Sequence, residues 1–370
     1  MPLTAVKSLL PAALGVSLLT ACGFPGDDGA AVGSKGLWVA NGTNVIEYNP
    51  AQLGGGTGAT APRVSINSAV FGTPQGVAFD PAGNLWVLDP TGMVNGAATP
   101  ALFEFSAAQL AALPTNAAPE PVAIITSTFL KWPQQAVIDV LGNAWITDHD
   151  SNMVLVYAAA QLTQTGANVI SPVVAISSSA FNGPSGIAFD SAGNLWISNS
   201  GPTPAAGAAA VPGTTIVEIT KAHIPALPET GTSAPNVVSD VTLTDNGAKS
   251  IQAPWALAFD AAGNLWSSNS AASSTLVQFA QANLGNGAPT PVVVISPAMV
   301  NQVPSLDAPN GLCIDDVGNL AAINSVGAFG VAVFWPNQFT TGSPPPAAFI
   351  VGEKTTLNAP AGCAFGPIVK

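Results

Sequence analysis

Pro184-Ser-Gly-Ile-Ala-Phe-Asp-Ser-Ala-Gly-Asn-Leu-Trp-Ile-Ser-Asn199 decides the fold, because the chain repeats it. Two further copies are nearly complete, PQGVAFDPAGNLWVLD from Pro74 and PWALAFDAAGNLWSSN from Pro254. Two are weaker, PQQAVIDVLGNAWITD from Pro133 and PNGLCIDDVGNLAAIN from Pro309. A sixth is split: PAGCAFGP from Pro360 ends the chain, while KGLWVAN, Lys35 to Asn41, opens its ordered part. The starts fall 59, 51, 70, 55 and 51 residues apart. A period of that size suits a radial array of small sheets better than a helical solenoid.

Within one copy the residues dictate a hairpin. In the copy from Pro74, Val77, Ala78 and Phe79 are apolar on both faces, as in a strand buried on both sides. Asp80-Pro-Ala-Gly83-Asn84 is a tight turn in which Asp bonds the backbone and Gly supplies positive φ. Leu85 to Leu88 is the second strand and Ala101 to Phe105 the third. An AQL-like knuckle follows (Ala108-Gln109-Leu110, echoed at Ala51 and Ala160), then a fourth strand, Pro121 to Ile125. Four strands per repeat with Gly/Pro punctuation make a propeller blade. The expected fold is all-β: a single six-bladed β-propeller of four-stranded blades over residues 35–370. It is closed by the C-terminal strand, Gly362 to Phe365, pairing with Leu37 to Asn41, which leaves no seam edge unpaired. The Trp that recurs on the second strand (Trp38, Trp86, Trp145, Trp196, Trp266; Ala321 in the last blade) reads as inter-blade packing.

Composition narrows the function. Eight Lys and Arg face 20 Asp and Glu, for a net charge of −12, and Arg63 is the only Arg. Such a chain repels nucleic acid and anionic headgroups and lacks bidentate phosphate clamps. At the N-terminus, Lys7 precedes the apolar run Ser8 to Leu19, which is shorter than the roughly 20 residues a membrane span needs. The run ends in Leu19-Thr20-Ala21-Cys22, which resembles the bacterial lipobox. That resemblance implies a signal peptide over 1–21, lipidation of Cys22, and a cell-envelope location. With Gly23 rather than Asp next, it implies the outer membrane. Residues 22–34 read as a flexible tether reaching about 20 Å. Cys313 and Cys363 stand at the fifth and fourth positions of neighbouring copies, so their side chains leave opposite faces of adjacent blades and could meet in a disulfide.

Antiparallel order puts the start of each first strand and the end of each second strand on one rim of the central channel. The residue after the phrase's Pro runs Gln75, Gln134, Ser185, Trp255, Asn310, Ala361. This variable ring is a candidate ligand rim. The residue ending strand two runs Asn41, Asp89, Asp148, Asn199, Asn269, Asn324, a set expected to cap turns. Long Ala/Gly/Pro-rich loops follow strand two in blade two (Pro90 to Pro100) and blade four (Ser200 to Gly213), and repeat insertions collect on binding faces. The two loops are expected to stand as walls, and the short turn between them, Asp148-His149-Asp150, to form an acidic floor, with His149 a candidate base, proton shuttle or metal ligand. His223 reads as incidental. No nucleophile elbow, zincin pair, Walker loop or dinucleotide fingerprint is present.

The phrase P-x-G-x-A-F-D-x-x-G-N-L-W-V resembles the NHL-repeat and gluconolactonase-like (senescence marker protein) propellers and the virginiamycin B lyases, over roughly Lys35 to Phe365. The resemblance implies this architecture. In the gluconolactonase-like enzymes it also implies a divalent metal over the channel, held in part by Asn or Asp directly after the phrase's Pro. Only Asn310 matches such a ligand here. The expected function is therefore a lipid-anchored, monomeric, cofactor-free envelope propeller. It binds a protein, peptide or glycan at its rim and does no chemistry. The alternative is a divergent metal-dependent lactonase or lyase using Asn310, Gln75 and Gln134, with His149 as base and a divalent cation as cofactor.

Overall fold

The computed structural model describes residues 33–205, 208–228, 231–271 and 273–368. The expected signal peptide, Cys22 and most of the tether lie outside these residues. Six blades form a ring, and each phrase supplies the two innermost strands of one blade. Blade one is Pro360–Gly366, Gly36–Asn41, Asn44–Tyr48 and Val64–Ile66 from the axis outward. Blade two begins with Gly76–Phe79 and Leu85–Asp89, blade three with Pro133–Ile138 and Ala144–Asp148, and blade four with Pro184–Phe189 and Leu195–Asn199. Blade five begins with Pro254–Phe259 and Leu265–Asn269, and blade six with Pro309–Ile314 and Leu320–Asn324. The split copy closes the ring as its sequence requires: Leu37 pairs with Phe365 and Val39 with Cys363, antiparallel. Cys313 and Cys363 are bonded, with Cα atoms 6.2 Å apart, so the last strand is hydrogen-bonded to blade one and covalently tied to blade six.

The hairpin turns show why the phrase is so repetitive. Asp190 Oδ1 accepts from the backbone N–H of Ala192 and Asn194, and its Oδ2 accepts from the Asn194 amide and from Trp196 Nε1. The same set recurs at Asp80, Asp139 and Asp260. Each Asp thus ties its turn to the indole that fills the core. The indole meets the phrase Phe of the next blade edge to face: Trp38 on Phe79, Trp145 on Phe189, Trp196 on Phe259. Trp38, Trp196 and Trp266 are at most 1% exposed. In the knuckles one Gln bridges two segments. Gln109 Oε1 accepts from Ser106 N while its Nε2 donates to Glu120 O, and Gln52, Gln161 and Gln338 do the same.

Each blade has the expected four antiparallel strands, but the outer edge does not end there. A piece of the following blade lies parallel against it. Gly166–Val169 adds a fifth strand to blade two, Asn116–Ala117 to blade one, and Gly56–Gly58 to blade six. Single bridges do the same for blades three to five, at Ser233, Asn236, Gly287 and Gly342. Sequence could not announce these pieces, because they are short, exposed and carry no apolar alternation.

Candidate functional site

The phrase's third position controls the channel. It is Gly in four blades, because the next inner strand passes too close for a side chain. A Cβ on Gly76 would stand 2.4 Å from Gln134 O, one on Gly186 2.6 Å from Trp255 O, and one on Gly311 2.3 Å from Ala361 O. Blade three has Gln135 instead. Its Nε2 reaches the carbonyl of Asn310, 3.3 Å away, on the opposite blade. The axis is thereby crossed by a side chain.

The strand-two ring is structural in every blade. Asp148 takes the backbone N–H groups of Lys131, Trp132 and Ser151, and Asp89 those of Gly72, Thr73 and Thr91. Asn199, Asn269, Asn324 and Asn41 each accept one N–H from the loop leading into the inner strand. These side chains are at most 2% exposed.

The variable ring splits. Ser185 is fully buried and its hydroxyl pairs with Ser200 Oγ at 2.6 Å. Gln75 donates to the nearby carbonyl of Thr73. Asn310 Oδ1 accepts a close hydrogen bond from Ser270 Oγ. Only Gln134 and Trp255 open onto a common space, an off-axis cleft of about 450 Å³ over blades three to five. Trp132, His149, Asp150 and Ser270 line it too, and the blade-four loop forms its far wall through Gly201 to Pro204 and Ala210 to Pro212. The blade-two loop is not a second wall. It folds into a small hairpin, Met93–Val94 on Ala97–Ala98, turned at Asn95-Gly96, with Val94 buried in the Phe71–Phe103 cluster.

His149 joins the floor to the loop. Its Nδ1 lies 2.7 Å from Asp150 Oδ1, and its Nε2 lies 2.9 Å from Gly201 O, a contact that needs a hydrogen on Nε2. Thr203 Oγ1 donates to Asp150 Oδ1 at 2.7 Å. Partial burial raises the Asp150 carboxyl, but the hydrogen bonds from Thr203 and His149 outweigh it and hold it below its ordinary value. The loop's stem is pinned by Gly213 N–H to Ser200 O and by Ser200 N–H to Gly183 O. Both imidazole nitrogens are thus occupied inside the protein.

A metal over the channel does not fit these residues. Asn310 Oδ1, the one matching donor, is taken by Ser270, and no carboxylate stands at the ring after the Pro. Among the described residues no three His, Cys, Asp or Glu side chains converge. A hard cation needs several oxygens with carboxylate charge.

Trp132 was missed by sequence reasoning because it precedes the phrase. A partial signal was available: it and Trp255 stand outside the repeating Trp position, although Trp335, also outside it, packs against the core.

No family model and no curated protein sequence matches the chain. Solved structures do. A protein of unknown function from Bacteroides caccae superposes with TM-score 0.54 at 12% identity, over 90% of this chain and 99% of that one. A 6-phosphogluconolactonase-like protein from Bacteroides uniformis gives 0.52 at 11%, over 90% and 99%. The likeness agrees with a β-propeller, whose six blades are read from this chain's own sheets. A streptogramin B lyase gives 0.43 at 13% identity over 71% of this chain, which spans 66% of the lyase's length. At such identities the likeness is one of architecture alone.

Proposed function

We propose that the protein is a binding module of the bacterial cell envelope that holds a neutral ligand in the cleft over blades three to five and does no chemistry on it. One observation carries this reading. The imidazole and the ring amide are spent inside the protein: both nitrogens of His149 and the amide oxygen of Asn310 have partners. The groups left open are the indoles of Trp132 and Trp255, the amide of Gln134 and one carboxylate oxygen of Asp150. Large rigid aromatic surfaces with a few polar handles are typical of ligand clefts. No Lys or Arg lines the cleft, so an anion finds no counter-charge there. Leu19-Thr20-Ala21-Cys22 supports anchoring by a lipid on Cys22, with the tether letting the ring stand off the membrane.

The test is twofold. Metal analysis and a turnover screen with lactones and cyclic depsipeptides should find neither a stoichiometric cation nor product. Turnover that His149→Ala abolishes would overturn the reading. Cys22→Ser should release the protein from the membrane fraction; a mutant still retained there would refute the anchor.

A further inference from the structure

The cleft's hydrogen-bonding inventory names the chemical class of its ligand. This step rests on the binding reading above. Five of the eight Trp residues spend their indole N–H inside the fold: Trp38 on Pro367 O, and Trp86, Trp145, Trp196 and Trp266 on the turn aspartates. Among the described residues Trp132 and Trp255 donate to no partner, and both are half-buried. Gln134 is only 4% exposed, and its carboxamide has no partner either. All three groups reach solvent, since the side-chain atoms that are both buried and unpaired lie elsewhere, on Glu47, Tyr157 and Trp335 among others. Water satisfies these groups in the free protein, and a ligand that displaces it from the nine-tenths buried Gln134 must return the hydrogen bonds it takes away.

The imbalance is toward donors. Two indoles and one carboxamide offer four N–H hydrogens against a single amide oxygen. Of the neighbouring acceptors, Asp150 Oδ1 takes Thr203 and His149 and Ser200 Oγ pairs with Ser185, while Ser270 donates to Asn310; Asp150 Oδ2 keeps its lone pairs. A ligand that meets both indoles and Gln134 at once is rich in acceptors and apolar between them, and the Asp150 carboxylate disfavours an anion. Sugars match less well, because every hydroxyl brings a donor with its acceptor, and Asp150 Oδ2 and the Gln134 oxygen can take only a few of them. A proline-rich segment matches. Its tertiary amides carry carbonyls and no N–H, and in polyproline II geometry its rings form apolar ridges at about 3.1 Å rise per residue. Such helices dock between aromatic side chains with little ordering entropy to lose.

We propose that the cleft lined by Trp132, Gln134 and Trp255 binds a neutral, proline-rich peptide segment in the polyproline II conformation, with the two indole N–H groups donating to its carbonyls.

The experiment uses the purified full chain, labelled with nitrogen-15 at its indoles and titrated with decaproline and, separately, with maltoheptaose. Trp132→Phe and Trp255→Phe assign the two resonances and retain the apolar ring while removing the donor. The expected result is that decaproline moves both indole N–H signals downfield, and that each Phe variant weakens binding about fivefold, as loss of one neutral hydrogen bond should. Melting curves of the Phe variants should match the parent, which separates lost binding from lost folding. If maltoheptaose moves these signals and decaproline does not, the peptide class is wrong while the binding cleft stands. If neither probe moves them, both readings fall.

Discussion

Glu47 gives the sharpest quantitative expectation. It lies on Asn44–Tyr48 of blade one, directly opposite Trp38, and is 0% exposed. Neither carboxylate oxygen has a hydrogen-bond partner. Burial pushes its carboxyl from 4.5 up to about 7, with the Arg63 charge opposing only in part. The folded protein therefore holds a proton that the unfolded chain releases near 4.5. Stability is fully present below 4.5, falls as pH rises to about 7, and is then lowest. That displacement corresponds to about 3 kcal/mol above pH 7. Glu47→Gln removes the ionisable group and keeps its shape. At pH 8 it should stabilise the ring by roughly 3 kcal/mol, or about 4 °C in melting temperature for a domain of this size. At pH 4.5 it should change almost nothing. Calorimetry of parent and variant at the two pH values decides it. An equal shift at both, or a loss at pH 8, would show that the carboxylate finds solvent or a counter-ion and that the argument from burial is wrong.

Two further outcomes concern the scaffold. The Cys313–Cys363 bond closes a stretch of 50 residues, and chain-entropy arguments assign about 4 kcal/mol to such a loop. Urea midpoints with and without reductant should differ accordingly, and Cys363→Ser should become insensitive to reductant; no difference would mean the bond does not form in solution. Trp196→Ala should cost about 3–5 kcal/mol, since the indole is 1% exposed and tied to Asp190. A cost under 1 kcal/mol, measured by the same urea titration, would contradict its place between blades.

The ring itself was legible because the phrase encodes its own constraints. Gly at the third position answers a close inter-strand contact, Asp and Asn build the turn, and Trp fills the gap between blades. Splitting the phrase between Pro360 and Lys35 told how the ring is sealed, and the offset of Cys313 from Cys363 told which faces could meet. The cleft was legible only in part. Gln134, Trp255, His149 and Asp150 converge, yet Gln75, Ser185 and Asn310 occupy equivalent sequence positions and are taken up by other protein groups, Gln75 and Ser185 within their own blades and Asn310 by Ser270 of blade five. The difference lies in loops of neighbouring blades, which sequence periodicity does not describe. The blade-two insertion misled for a related reason: Asn95-Gly96 is a hairpin signal, and Val94 provides an anchor into the core, so the segment packs down rather than standing up as a wall. The parallel pieces on the outer edges left no trace at all, since Gly56-Thr57-Gly58 and Asn116-Ala117 bring almost no side chain to read.

Those outer pieces bear on how the molecule could be re-cut. Gly36 stands opposite Gly366, so a short linker could fuse head to tail. A permutant opened inside the Asp260-to-Asn264 turn would again divide one blade between its ends and should assemble as the parent does. One opened between whole blades would be left with only the peripheral overlap across its new gap, and should be the weaker circle of the two.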